Sequence, residues 1–245
     1  MCGRYTLTRQ QGVIDDLEAS LGASVGGEWW KPRYNVAPTQ PAPVVTLHDG
    51  VRTIELMRWG LVPHWAGRGG PGVKAPPLMI NARAESLDAK AVFRDALARR
   101  RCLVPADGFF EWKRSGLEGS GKQAPKPQPL YFHPRERRVF AFAGLWARSR
   151  TDAGELLSFT IITGRPNELV SPIHDRMPVV LGREAYAAWL DPEVDAATAR
   201  ELLAISPGDG WVAEPVSTVV NSAANDDPTC IAPITDEPAA QRSLF

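Results

Sequence analysis

The sequence predicts a single α+β domain built on a largely antiparallel or mixed, barrel-like sheet flanked by helices. Three observations carry that expectation. Short β-rich runs recur at irregular spacing, a few segments place apolar residues at helical spacing, and no strand-helix-strand array repeats. A chain of 245 residues, 44% of them hydrophobic, can bury one sizeable core, and one domain of that length is ordinary. Residues 1–232 are expected to form it, and 233–245 to be a frayed tail.

The helical segments come first. In QGVIDDLEASL (11–21), Val13, Ile14, Leu17 and Leu21 share one face. DAKAVFRDALARR (88–100) repeats the pattern with Val92, Phe93 and Leu97 behind Asp88, a residue suited to capping. Residues 184–204 suggest two more helices with Trp189, Leu190, Leu202 and Leu203 inward. The strand candidates are PVVTLH, RTIELMRW, RRCLVPA, GFFEWK, LYFH, RVFAFAGLWA and LLSFTIIT. Residues 66–77 and 114–129 are rich in Gly and Pro, aperiodic and positively charged, and read as surface loops.

Composition excludes several function classes. No apolar run approaches the roughly 20 residues a membrane helix needs, and MCGRYTLTRQ lacks a signal-peptide core, so a cytoplasmic protein is expected. Cys2, Cys102 and Cys230 are odd in number and far apart, which argues against a disulfide framework or a cysteine zinc site. His48, His64, His133 and His174 form no i, i+4 pair. No metal and no cofactor are expected.

The formal charge of zero hides an asymmetry. Residues 1–150 hold 23 Lys+Arg against 13 Asp+Glu, net +10, and residues 151–245 hold 5 against 15, net −10. Such asymmetry points to a charged partner, unless the fold interleaves the halves and cancels the field.

Cys2 carries the sharpest chemistry. Methionine is normally trimmed before a small second residue, which would leave Cys2 with a free α-amine beside its thiol. Their unperturbed pKa values are about 8 and about 8.5. Such a pair suits attack on an acyl carbon or condensation with an aldehyde to an imine. Addition of the thiol to that imine closes a thiazolidine, removes the electron-withdrawing C=N and suppresses elimination of the adjacent phosphate. The plainer alternative is a small buried hydrophobe.

Cys2 gains weight from other segments. MCGRY, RYNVAPTQ (33–40), RWGLVPHW (58–65), NARAES (81–86) with CLVPADGFFEWK (102–113), and FTIITGRPNELVSPIHDRMPVVL (159–181) together resemble the SOS-response-associated peptidase family of abasic-site processing proteins. The likeness runs in order to about Leu190 and only loosely beyond. It departs at Gly164, where a second hydroxyl residue is the commoner pattern, and in the Gly/Pro-rich loop at 66–77.

The resemblance implies a catalytic set of Cys2, Asn81, Glu111 and His174. Cys2 would supply amine and thiol. Glu111 would shuttle protons, a task suited to a carboxyl raised by partial burial; otherwise it is a surface strand carboxylate. His174 would protonate the sugar oxygen and open the closed deoxyribose; otherwise it is a structural hydrogen-bonder. Asn81 would orient the Cys2 backbone or the sugar; otherwise it is a turn or cap residue.

Arg4 and Arg83 match phosphate contacts, which a guanidinium fork suits, and Thr163 matches a position near the sugar-phosphate. Trp59, Trp65 and Trp112 lie inside the motifs, where exposed rings could stack on bases; Trp59 and Trp112 are equally compatible with the core.

The function implied is recognition of abasic sites in single-stranded DNA by a monomer, nucleoid-associated when bound, with a covalent thiazolidine crosslink through Cys2. Two alternatives stand beside it: an N-terminal-cysteine peptidase that processes its own Met1, and a non-covalent single-strand-binding module.

Overall fold

A computed structural model of the chain describes residues 2–21, 31–66, 78–113, 127–151, 154–204 and 208–234. In chain order the elements are β1 (Tyr5–Leu7), α1 (Gln10–Leu17), β2 (Ser20–Leu21), β3 (Arg33–Val36), β4 (Pro41–His48), β5 (Val51–Trp59) and β6 (Asn81–Arg83). There follow α2 (Ala91–Arg99), β7 (Arg101–Ala106), β8 (Gly108–Lys113), β9 (Gln128–Pro134), β10 (Phe140–Thr151) and β11 (Gly154–Gly164). The chain continues with β12 (Met177–Pro178), β13 (Val180–Leu181), α3 (Tyr186–Leu190), α4 (Ala196–Glu201) and β14 (Trp211–Pro215).

The strands form a five-stranded sheet, ordered β14-β9-β8-β1-β3, and a nine-stranded sheet with the path β12-β11-β10-β7-β4-β5-β2, to which β6 and β13 attach. Period-2 alternation decides what each sheet faces. Along β10, Phe140 and Phe142 enter one apolar cluster, and Ala141, Ala143, Leu145 and Ala147 enter another. The first cluster lies between the sheets and includes Val44, Trp59, Val104, Phe109, Phe132 and Phe159. The second receives Val13 and Leu17 of α1, Phe93 and Leu97 of α2, and Trp189 of α3. The nine-stranded sheet is thus buried on both faces, and the expected α+β, barrel-like architecture is what the chain adopts.

Most pairings are antiparallel, but β11 runs parallel to β5 and β6, and β2 parallel to β5, so the sheet is mixed. Gly60, with φ 116°, turns the chain out of β5 in a conformation that favours glycine. Its N–H then donates to Phe159 O at 2.8 Å, tying the RWGLVP motif to β11.

Several local expectations need correction. The first helix ends at Leu17, where Glu18 turns left-handed (φ 49°), and Leu21 joins β2 half-exposed. Asp88 does not cap α2: the N-cap is Lys90, without a side-chain bond, and Asp88 instead accepts from Arg200. The loop expected to end at 129 gives way to β9 at Gln128; residues 67–77 and 114–126 of the two expected loops lie outside the described residues. Pro233 bridges to Val216, and Ile234 N–H donates to Pro215 O at 3.0 Å, so the fold reaches past 232. The remainder of the expected tail, 235–245, lies outside the described residues.

Candidate active site

Cys2 sits just before β1, at 0% exposure, in the cluster between the sheets. The β1–β8 register fixes its surroundings. Tyr5 pairs with Phe109 and Thr6 with Gly108, and Phe110 N–H donates to Arg4 O at 3.1 Å. Glu111 therefore shares the inward face with Phe109, while Phe110 and Trp112 face the opposite side, where Phe110 packs on Tyr131 and Val220.

Glu111 is 2% exposed. Burial pushes its carboxyl up from an ordinary 4.5 to about 7, and the charge of Asp175 acts in the same direction. Burial also pushes the Cys2 thiol well up, with Glu111 adding to the effect. Both groups therefore hold their protons more tightly than in water.

Asn81 closes the third side. β6 runs parallel to β11 with Asn81 opposite Ile161 and Arg83 opposite Thr163, so Asn81, Arg83 and Thr163 project to one face. Asn81 Nδ2 donates to Cys2 O at 2.9 Å. Asn81 Oδ1 and Thr163 Oγ1 are buried and find no partner among the described residues. Unsatisfied buried polar atoms are costly and call for an explanation; here both belong to strands that border Cys2.

His174 lies on the segment between β11 and β12. Its backbone N–H donates to Val170 O at 3.0 Å, and its Nδ1 lies 3.0 Å from both the Arg176 N–H and Asp175 Oδ1. The influence of Asp175 on Glu111 places this segment within electrostatic reach of the Cys2 pocket. The structure thus brings Cys2, Asn81 and Glu111 together and sets the His174 loop beside them.

The nucleic-acid candidates divide. Arg83 and Trp65 are exposed, Trp65 by 53%. Trp59 is fully buried, stacked on Phe159 at 6.3 Å with its Nε1–H donated to Ile80 O at 2.9 Å. It braces the residue before Asn81 and offers no face to a base. Arg4 turns inward: its Nη1 donates to Asn35 Oδ1 (2.9 Å) and Val220 O (2.7 Å), and its Nη2 to Asn221 O (3.2 Å). Its guanidinium lies 6.0 Å over the Trp112 ring, whose Nε1–H donates to Asn221 Oδ1 at 2.6 Å. Both therefore fasten the 217–231 segment and remain partly exposed.

Sequence reasoning missed that segment and also the pair between Glu85 and Arg176. Both residues of the pair stand inside the segments NARAES (81–86) and FTIITGRPNELVSPIHDRMPVVL (159–181), but complementary charges 91 positions apart give no local signal. Among the described residues no group of three or more His, Cys, Asp or Glu could hold a metal, and no helix is long and apolar enough to cross a membrane.

Fold and site together define a class: an α+β protein that sets a buried cysteine, at the head of its first strand, against a carboxyl poised near neutrality and a carboxamide. Residues 1–223 match the SOS response associated peptidase (SRAP) family, and the chain belongs to it. It is 39% identical over 236 residues to the abasic site processing protein YoqW of Bacillus subtilis, covering 94% of this chain and 99% of that one. To the abasic site processing protein HMCES of Gallus gallus it is 36% identical over 234 residues, 84% of this chain and 67% of that one.

Solved structures agree on the fold. A Bacteroides thetaiotaomicron protein superposes with a TM-score of 0.77 at 23% identity, covering 96% of this chain and all of that one. A phage-related protein of Bordetella bronchiseptica gives 0.67 at 31% identity, covering 88% and 94%.

Proposed function

We propose that this chain recognises abasic sites in single-stranded DNA and, once Met1 is removed, crosslinks to them through Cys2 as a thiazolidine. The observation that carries the reading is the buried Cys2–Glu111–Asn81 arrangement, in which a carboxyl of pKa about 7 adjoins the cysteine. Family membership and the names of the relatives agree with it.

The steps follow from the groups present. His174 donates a proton to the ring oxygen of the closed deoxyribose as the C1′–O4′ bond breaks, and the C1′ hydroxyl proton passes to Glu111. The Cys2 amine adds to the aldehyde carbon, protonated Glu111 supplies the proton with which water departs, and the N–H proton of the resulting iminium returns to His174, leaving an imine. The thiol sulfur then bonds to the imine carbon while its proton reaches the nitrogen by way of Glu111. The net change is loss of one water and closure of a five-membered ring with no C=N, which removes the driving force for strand elimination. Asn81 fixes the Cys2 backbone by its Nδ2–H and keeps Oδ1 available to the amine or the sugar. Arg83 and Trp65 are the surface groups suited to phosphate and base.

The test is intact protein, its N-terminus verified by mass, incubated with single-stranded DNA holding one abasic site. A heat-stable shifted band without added reductant is expected, and Cys2→Ala should abolish it while salt-dependent binding persists. An undiminished band in Cys2→Ala overturns the assignment. The family description favours a second reading, a peptidase acting on its own Met1. Absence of a band from protein already lacking Met1 puts that reading first.

A further inference from the structure

We propose that Glu85 is a positioning residue for His174, acting through Arg176. The proposal rests on the reading of His174 as the acid that opens the closed sugar.

Glu85 lies in the 3-10 turn Ala84–Ser86 directly after β6, the strand that carries Asn81. Its two carboxylate oxygens accept from Arg176 Nη1 and Nη2, each at 2.7 Å, the fork geometry that fixes a guanidinium in a plane. Arg176 Nη2 also donates to Thr163 O at 2.9 Å. One side chain therefore joins the end of β6, the end of β11 and the His174 loop. Only 13% of the Arg176 side chain is exposed, so it cannot wander as a surface arginine does. The tightness shows in Glu85, whose carboxyl the Arg176 hydrogen bonds hold down to about 2.

Pinning the side chain also pins the backbone of Arg176, and that backbone N–H donates to His174 Nδ1 at 3.0 Å. Asp175 Oδ1 lies at the same distance from the same nitrogen. A ring nitrogen cannot accept from an N–H and donate to a carboxylate at once. Neutral His174 takes the Arg176 N–H at Nδ1 and carries its proton on Nε2. The imidazolium instead donates Nδ1–H to Asp175 and still presents Nε2–H. Both forms keep Nε2 as the proton-bearing atom directed away from the backbone clamp, and after the acid step the ring is left as the Asp175-bound Nδ1–H form. The charged groups bearing on this loop are Asp175, Arg176, Glu85, Glu111 and, through its field on Glu85, Arg165. Without Glu85 the Arg176 backbone loses its anchor, and the neutral ring, from which the acid form is made by protonation, loses the contact that sets its rotation.

This role is separable from folding because the acid is needed only when the sugar is closed. Crosslinking rates are measured for the wild type, Glu85→Ala, Glu85→Gln and His174→Ala on two single strands. One carries a natural abasic site, and the other an acyclic aldehyde lacking the O4′ hydroxyl. Glu85→Ala should slow the natural substrate about tenfold, less than the roughly 10²–10⁴-fold that loss of a general acid itself would cost, and leave the acyclic one within about twofold. Glu85→Gln, which keeps one acceptor oxygen, should fall between. In ¹⁵N spectra of His174 near pH 8, the wild type should show Nε2–H and Glu85→Ala a mixture of tautomers.

A Glu85→Ala protein that matches wild type on the natural site, or loses equally on both substrates, overturns the proposal, as does an unchanged tautomer. Failure of the wild type to crosslink either strand would instead sink the proposed function, and the tautomer measurement would still decide the role of Glu85.

Discussion

Burial makes the Glu111 carboxyl hard to ionise, and that has a sign that can be checked. Its folded value of about 7 lies above the ordinary 4.5, so between those values the folded state binds more protons than the unfolded one. Stability attributable to this group is intact below about 4.5 and declines as pH rises through 7. Glu111→Gln removes the ionisation while keeping the shape. Its melting temperature relative to wild type should therefore be higher at pH 8 than at pH 4, and its crosslinking at pH 7 should fall about 10²-fold, as loss of a proton shuttle commonly does. A melting difference independent of pH would mean that Glu111 titrates near its ordinary value. Cys2 follows the same logic: its thiol is held protonated by burial and by Glu111, so the carboxyl that raises it is also the base placed to relieve it.

At the scale of elements, the long strands were legible because they are runs rich in β-branched and aromatic residues: β4, β5, β7, β8, β9, β10 and β11 all fall on runs read from sequence. Tyr5–Leu7, Arg33–Val36 and Asn81–Arg83 were not, because three or four residues cannot show a period. Their motifs were visible and their geometry was not. The proposed catalytic set came through resemblance alone, since Cys2, Asn81, Glu111 and His174 share no local pattern. The contacts that Arg4 and Trp112 make were not legible, because their partners lie in the 217–231 segment, where none of the motifs falls.

Asn35 holds that segment most directly. Fully buried, it donates from Nδ2 to Val220 O, Ser222 O and Asn225 O at 3.1, 3.0 and 2.7 Å, and its Oδ1 accepts from Arg4. Asn35→Ala strands these groups and should cost about 2–3 kcal/mol, the range for unsatisfied buried polar atoms. Denaturant unfolding measures the loss, and amide exchange should rise across 217–231 first. A cost under about 0.5 kcal/mol would show that Asp226, which accepts from Arg33 and from the N–H groups of Tyr34 and Asn35, holds the segment without it.

On the scale of the whole molecule, the basic and acidic halves are interleaved. β11, from the acidic half, lies between β10 and β12 and also pairs β5 and β6, and β14 of that half pairs β9. Among the described residues the charge asymmetry along the chain therefore does not sort into two charged lobes, and the depth of the site says more about its substrate. Cys2 is 0% exposed and Glu111 2%, so in the proposed reaction the sugar carbon descends between the sheets to meet them. A lesion in a single strand can do so by rotating about its backbone. One inside a duplex must first leave the stack and part from the opposite strand, a cost of a few kcal/mol that lowers the rate on the order of 10²-fold. Crosslinking rates on one abasic oligonucleotide, alone and then annealed to its complement with the lesion central, measure that ratio. A duplex that reacts as fast as the free strand would mean that Cys2 is reached by opening of the protein, and that the inter-sheet position of the site does not select its substrate.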